Sequence, residues 1–272
     1  MGESLSRWLA LREPADFAAR SVRLTTAMVE RLAGVRPLRA LDVGTGTGSN
    51  IRYLAPRFHV EQQWTAVDKD PVLLAEAAAR CASAAPAVQI DTRQLDLGES
   101  VPSELFDTRH LVTASALLDL VSSRWLDAIA GHCRRAGACA LFTITYNGWN
   151  ECDPRDPDDD RVFALFNQHQ LNDKGLGGPA AGPRGTDVAR EAFSRAGFEV
   201  QVEPSNWHIA PEAREFQAEL IEGWAGAAGE IAPTERKMIE AWKERRLSHV
   251  TAGRSIIVVG HYDLAAAPAG TW

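Results

Sequence analysis

Three glycines at alternate positions, Gly44, Gly46 and Gly48, stand in LDVGTGTGSN behind a short apolar run, and Asp42 precedes the first of them by two residues. A backbone stripped of Cβ atoms lets a ligand approach the chain closely at a strand-to-helix turn. Two cofactor chemistries use such a turn. A dinucleotide asks for GxGxxG, with its pyrophosphate on the helix N-terminus. Here the spacing is GxGxG, and Ser49 stands where the third dinucleotide glycine belongs. A carboxylate at Asp42 would repel a pyrophosphate, because like charges do; it suits a ligand that carries an ammonium group.

A turn of this kind needs a strand feeding it and a helix leaving it, and the flanking chain alternates the two. LRALDVG is the strand, and Ile51 and Leu54 share a helical face before Pro56. QQWTAVD reads as a second strand, PVLLAEAAARCA as a helix opened by Pro71, and AVQIDTRQLD and RHLVTASALL as strands three and four. Ser122 caps a helix whose Trp125, Leu126, Ile129, Ala130 and Cys133 form one face, and ACALFTITYN is strand five. At Asn147 the alternation stops. Residues 147–185, rich in Asp, Pro and Gly around one apolar patch, read as a lid insertion. TDVAREAFSRAG then ends at Gly197, and FEVQVEP and RSIIVVGHYD are the last strands, so that 186–204 and 254–264 close the sheet. Between them, 205–253 holds two helices, one opened by Pro211 with Phe216, Leu220 and Trp224 on one face, the other following Pro233. In front, Pro14 at a first-turn position opens a helix with Leu24, Met28 and Leu32 that stops at Gly34, and 1–36 reads as a helical cap. Apolar strands separated by helices belong in a parallel sheet covered on both faces. The expected fold class is α/β, with seven mostly parallel strands flanked by helices, cap helices added, and a core at 37–146 inside one domain spanning 1–272.

Composition narrows the partners. At 272 residues the chain buries one large core, and its net charge of −7 with scattered lysines and arginines disfavours a nucleic-acid surface. No apolar run approaches the roughly 20 residues a membrane span needs. The first residues are charged throughout, unlike a secretory signal, which makes cytoplasmic residence the default expectation. Four cysteines form no CxxC pair and no metal spacing, so reduced thiols are expected. The run DPRDPDDD lacks the spaced ligands of a calcium loop and reads as a solvated acidic surface; no metal is expected.

From Leu38 to Tyr146 these residues resemble the class I S-adenosylmethionine-dependent methyltransferases, whose first motif is acidic-x-Gly-x-Gly-x-Gly. The resemblance implies a Rossmann-like sheet and S-adenosylmethionine as cofactor. It implies that Asp42 helps to hold the methionine moiety, that Gly44, Gly46 and Gly48 pass beneath the nucleoside with Thr45 between them, and that Asp68, with Lys69 beside it, takes both ribose hydroxyls. Two vicinal hydroxyls fit the two oxygens of one carboxylate. Asp96 would meet the exocyclic amine of adenine and Leu97 its ring face, while Ala114, Ser115 and Leu118 would line the methionine and methyl region. Arg20 or Arg23 of the N-terminal cap would clamp the cofactor carboxylate. The base-modifying members carry Asn/Asp-Pro-Pro-aromatic after strand four, and this chain has TASALLDL there, which argues against a flipped base. The metal-dependent catechol type has an Asp-Asn pair after strand five, where TYNGWN stands here.

Methyl transfer from a sulfonium asks mainly that a lone pair be held in line with the carbon–sulfur bond, with a base or acceptor for any proton released. Candidates hang over the cofactor end of the sheet: Tyr146, Asn147, Asn167, His169 and Asp173, with Trp207 and His208 after strand six. Tyr146 and His169 are the expected catalytic pair. The expected partner is a small-molecule acceptor, with O or N as the atom methylated, and the tryptophan-bearing helices allow a homodimer. Two other readings stand beside this one: a nicotinamide-dependent oxidoreductase, opposed by Ser49, and a cofactor-binding partner protein without turnover.

Overall fold

The architecture is that of a computed structural model, which describes residues 2–84, 88–98 and 101–270. The strands are β1 (Leu38–Val43), β2 (Gln62–Asp68), β3 (Gln89–Gln94), β4 (Leu111–Ser115), β5 (Cys139–Asp153), β6 (Phe198–Pro204), β7 (Trp207–Ile209) and β8 (Ile256–Pro268). They form one sheet in the order β3-β2-β1-β4-β5-β8-β6, with β7 pairing only β8. Pairs among β1 to β5 are parallel, while β8 runs antiparallel to β5, β6 and β7. The expected seven strands are therefore joined by an eighth, three-residue strand hidden in the second insertion. Strand order reverses between β1 and β4, and an open α/β sheet leaves its ligand crevice outside the strand ends at such a point.

The helices are α1 (Gly2–Ala19), α2 (Val22–Leu32), α3 (Ser49–Leu54), α4 (Pro71–Ala84), α5 (Ser123–Ala136), α6 (Asp159–His169), α7 (Gly185–Arg195), α8 (Arg214–Ile231) and α9 (Arg236–Thr251). Two apolar layers cover the sheet. Trp125, Ile129 and Phe193 of α5 and α7 meet Val112, Phe142 and Leu264 on one face; Leu24, Met28 and Ile51 meet Leu38, Trp64 and Leu141 on the other.

The N-terminal cap departs from its expected form. Pro14 lies inside α1 rather than opening a helix, and the chain breaks at Ser21. The Ser21 hydroxyl accepts from Leu24 N–H at 3.1 Å, and its own N–H donates to Asp263 at 2.8 Å. A serine that caps one helix interrupts the other.

The lid also begins later than Asn147, because β5 runs on to Asp153 and pairs there with β8. On this extension α6, α8 and α9 build one shared cap core in which Phe163 packs edge-on against Trp224 and Trp242. The acidic run is only in part the solvated surface expected of it, with Asp153 and Asp160 exposed. Asp159, 3% exposed, accepts from Arg246 Nε at 2.9 Å and from Trp242 Nε1 at 2.8 Å, and Asp156 accepts from Arg245 at 2.6 Å. Asp158 also accepts from Arg245, at 2.7 Å, so three of its carboxylates anchor α9. No helix among the described residues is long and apolar enough to cross a membrane.

Candidate active site

The turn after β1 is left-handed at every second residue, with φ of +65° at Gly44, +53° at Gly46 and +77° at Gly48. Residues with a Cβ rarely take this conformation. The three glycines make different close approaches. A Cβ on Gly44 would lie 3.3 Å from Leu117, and one on Gly46 would lie 3.1 Å from Leu9 of α1. On Gly48 it would meet Cys81 Sγ at 2.7 Å, so the third glycine packs the turn onto α4 instead of facing a ligand.

Beneath the turn lies a chain of buried polar groups. Asp42, fully buried, accepts from Thr45 Oγ1 at 2.6 Å and from Asn50 Nδ2 at 2.6 Å. Asn50 also donates to Thr113 Oγ1 and accepts from Arg20 Nη1 at 2.8 Å. The Arg20 guanidinium lies 4.3 Å from the Tyr53 ring centre. Burial pushes the Asp42 carboxyl up to about 6, against the pull of Thr45 and Asn50.

Above the turn is a cavity of about 350 Å³. It gathers Gly44, Thr45, Gly46, Asp68, Lys69, Asp96, Leu97 and Ser115 on one wall system, eight of the residues singled out in the sequence. Asp68 Oδ2 accepts from Gly46 N–H at 2.8 Å and Oδ1 from Asp70 N–H at 3.1 Å. Asp96 Oδ1 accepts from Gly98 N–H at 2.9 Å. Each of these carboxylates keeps lone pairs for a ligand.

Other expected residues stand off the cavity wall. Asp42 and Arg20 form the layer below it, Gly48 faces α4, and Ala114 is buried one residue behind Ser115. Arg23 pairs with Glu203 at the surface. The Tyr146 hydroxyl donates to Asn167 Oδ1 at 2.7 Å, and burial raises its pKa. His169 is turned to the cap: Lys174 Nζ lies 3.3 Å from its Nδ1, which leaves Nε2–H to Glu230 at 3.0 Å. The geometry makes His169 a support for Lys174.

The cap and the lid were expected as walls, but the residues they supply are ones the sequence did not single out. Trp8, Leu9, Arg12 and Asp16 line the cavity from α1, and Arg12 pairs with Asp16 at 3.1 Å. The spacing of four between Arg12 and Asp16 put them on one helical face, a legible signal once Pro14 is accepted inside the helix. Lys174 and Leu176 come from the lid, whose backbone rests on the Asp96 turn so closely that a Cβ on Gly98 would lie 1.8 Å from Gly175 O.

Residues 40–137, from β1 to the end of α5, match the family model described as a methyltransferase domain. The strand order and the glycine turn lie within or beside that matched stretch, and the chain carries a methyltransferase domain there. No curated protein matches the chain. Among solved structures, similar chains include the cyclopropane synthase MmaA2 from Mycobacterium tuberculosis, at 13% identity over 90% of this chain and 83% of that one, with a TM-score of 0.48. An S-adenosylmethionine-dependent methyltransferase from Geobacter sulfurreducens with S-adenosylhomocysteine has 15% identity over 96% and 98%, TM-score 0.46. The [4+2]-cyclase SpnF has 20% identity over 90% and 80%, TM-score 0.45. Nothing about the acceptor of this chain follows from those likenesses.

Proposed function

We propose that this protein methylates an O or N nucleophile of a small molecule, acting as one methyltransferase unit over 1–272 with walls from the sheet, α1 and the lid. One observation carries this reading: one cavity is lined by the glycine turn and the acidic tips of β2 and β3 together with Ala116, Leu120, Arg12 and Lys174.

We infer that S-adenosylmethionine, held on a class I methyltransferase sheet, is the cofactor, and the residues present fit it. Gly44 and Gly46 form a cradle that a Cβ would fill, and the free lone pairs of Asp68 face the space where vicinal hydroxyls would lie. Asp96 would accept from the adenine amine, with Leu97 against the ring; Ser115 would stand at the methionine end. Asp42 would act from below, fixing Thr45 and Asn50, and Arg20 would act through Asn50. When bound, the sulfonium supplies an electrophilic methyl group. The chain's part is to orient the acceptor in line with it and to exclude water, for which the lid over Gly98 and Leu9 over Gly46 provide cover.

Calorimetry with S-adenosylmethionine and S-adenosylhomocysteine, with NAD as control, tests the cofactor half. An acceptor screen of amines, phenols and alcohols read by mass spectrometry tests the other. Gain of a methyl mass on a small acceptor is expected; turnover only on a macromolecule refutes the substrate class.

A further inference from the structure

Two cations reach the cavity from elements far apart in the chain. Arg12 comes from α1 and Lys174 from the lid, and both line the cavity. Both also lie within electrostatic reach of Asp119, a carboxylate 6% exposed past the end of β4, so their charges converge on one region of the wall. Neither is joined to it among the described residues. Arg12 Nε lies 3.1 Å from Asp16 Oδ2, while its Nη nitrogens have no hydrogen-bond partner among the described residues and are not shielded from solvent. Lys174 Nζ donates to the His169 carbonyl at 3.1 Å and lies 3.3 Å from His169 Nδ1, and it has no carboxylate partner among the described residues. An ammonium carries three hydrogens, so one is left over.

The carboxylates beside them are engaged or withdrawn. Asp16 is 3% exposed and accepts from Trp207 Nε1 at 3.0 Å as well as pairing with Arg12. Asp119 is no part of the lining. What faces the cavity here is therefore a set of free cationic donors. Burial lowers the Lys174 pKa, and two like charges that converge on one region repel each other; an oxyanion held between them would offset both costs. Trp8, Leu117 and Leu120 line the same cavity with apolar surface.

We propose that Arg12 and Lys174 form a subsite for an oxyanion, a carboxylate or phosphate, and so select acceptors that carry one apart from the O or N to be methylated. This rests on the methyltransferase reading above and narrows its small molecule to an anionic one. The free edge of a guanidinium offers two parallel N–H donors to one carboxylate or phosphate, and an ammonium adds a point charge. His169, placed between Glu230 and Lys174, holds that ammonium at the wall. The apolar part of the acceptor would pack on Trp8 and Leu120.

The probes are benzoate and phenyl phosphate, with benzamide as the uncharged counterpart, titrated by calorimetry into protein saturated with S-adenosylhomocysteine. The wild type should bind one of the two anions at least about tenfold more tightly than benzamide, as hydrogen bonds between charged groups give, and the tighter anion identifies the oxyanion. Arg12→Gln and Lys174→Gln should each weaken that anion at least about tenfold while keeping benzamide and S-adenosylhomocysteine within about threefold. A wild type without the preference, or variants that keep it, overturns the proposal. The methionine carboxylate of the cofactor is the other oxyanion these cations could meet, and 5′-methylthioadenosine, which lacks it, tells the two apart. Variants that weaken S-adenosylhomocysteine at least about tenfold but spare 5′-methylthioadenosine assign the cations to the cofactor and overturn the acceptor subsite. The wild-type preference decides alone if neither variant folds. A wild type that does not bind S-adenosylhomocysteine refutes the cofactor reading instead.

Discussion

Asp68→Ala is the sharpest probe of the cofactor end. In the structure this carboxylate already accepts from Gly46 N–H at 2.8 Å and Asp70 N–H at 3.1 Å, and it lines the cavity with lone pairs unused. Hydrogen bonds to a charged group are worth about 1.5–3 kcal/mol each, so losing two from ribose predicts a loss of about 3–6 kcal/mol, or about two to four powers of ten in affinity. Asp68→Asn keeps an acceptor for Gly46 and offers a donor to ribose, and should lose only about tenfold, or about 1.4 kcal/mol. The assay is calorimetry with S-adenosylhomocysteine and with its 2′-deoxy analogue, urea melts serving as the folding control. If the ribose contact is real, the deoxy analogue should suffer less from Asp68→Ala than the parent ligand, because one of the bonds at stake is already absent. An Asp68→Ala variant within about threefold of wild type refutes the ribose role. Equal losses for both ligands would place the effect in a collapsed glycine turn.

Three further substitutions test other parts of the argument. Gly48→Ala forces a Cβ to 2.7 Å from Cys81 Sγ at φ +77°. Left-handed backbone and overpacking together should destabilise by about 2–4 kcal/mol in urea melts, with partial recovery in the Gly48→Ala/Cys81→Ala double variant. A loss below about 1 kcal/mol would contradict the close approach. Asp119→Asn should stabilise the fold near pH 7.5. The folded carboxyl sits at about 6, above its ordinary 3.8, so the native state holds a proton that the unfolded chain has lost. Stability from this group therefore falls as pH rises across that interval, and the variant's gain of about 1–3 kcal/mol should shrink towards pH 4.5. Equal stability of the two proteins at both pH values would count against it. Arg246→Ala leaves Asp159 charged and buried, and should cost about 3–5 kcal/mol by the same melts. A surface-like loss under about 1 kcal/mol would return the acidic run to solvent.

The ring nitrogens of His169 and the hydroxyl of Tyr146 are engaged by Glu230, Lys174, Asn167 and Asn150, which suits supports of the cap.

What could be read from order along the chain was local. Gln62–Asp68 and Phe198–Pro204 are strands with the bounds their apolar and turn residues mark, Pro71 opens α4, and Ser122 caps α5 with its hydroxyl on Trp125 N–H. The glycine spacing and the aspartates at the tips of β2 and β3 were legible for the same reason: ligand contacts made by backbone turns follow one another at fixed offsets. Tertiary structure alone decided what lay far apart in sequence. Asp42 and Arg20 carry the charges a ligand would want, yet packing against Asn50 and Tyr53 withdrew them below the turn. Arg12 and Lys174, separated by more than half the chain, reached the cavity because α1 crosses Gly46 and the lid rests on Gly98. Burial sorted DPRDPDDD into anchors and surface by bringing α9 to it. A side chain's type limits its chemistry, but whether a charge meets a ligand, a counter-ion or water depends on which distant element is packed beside it.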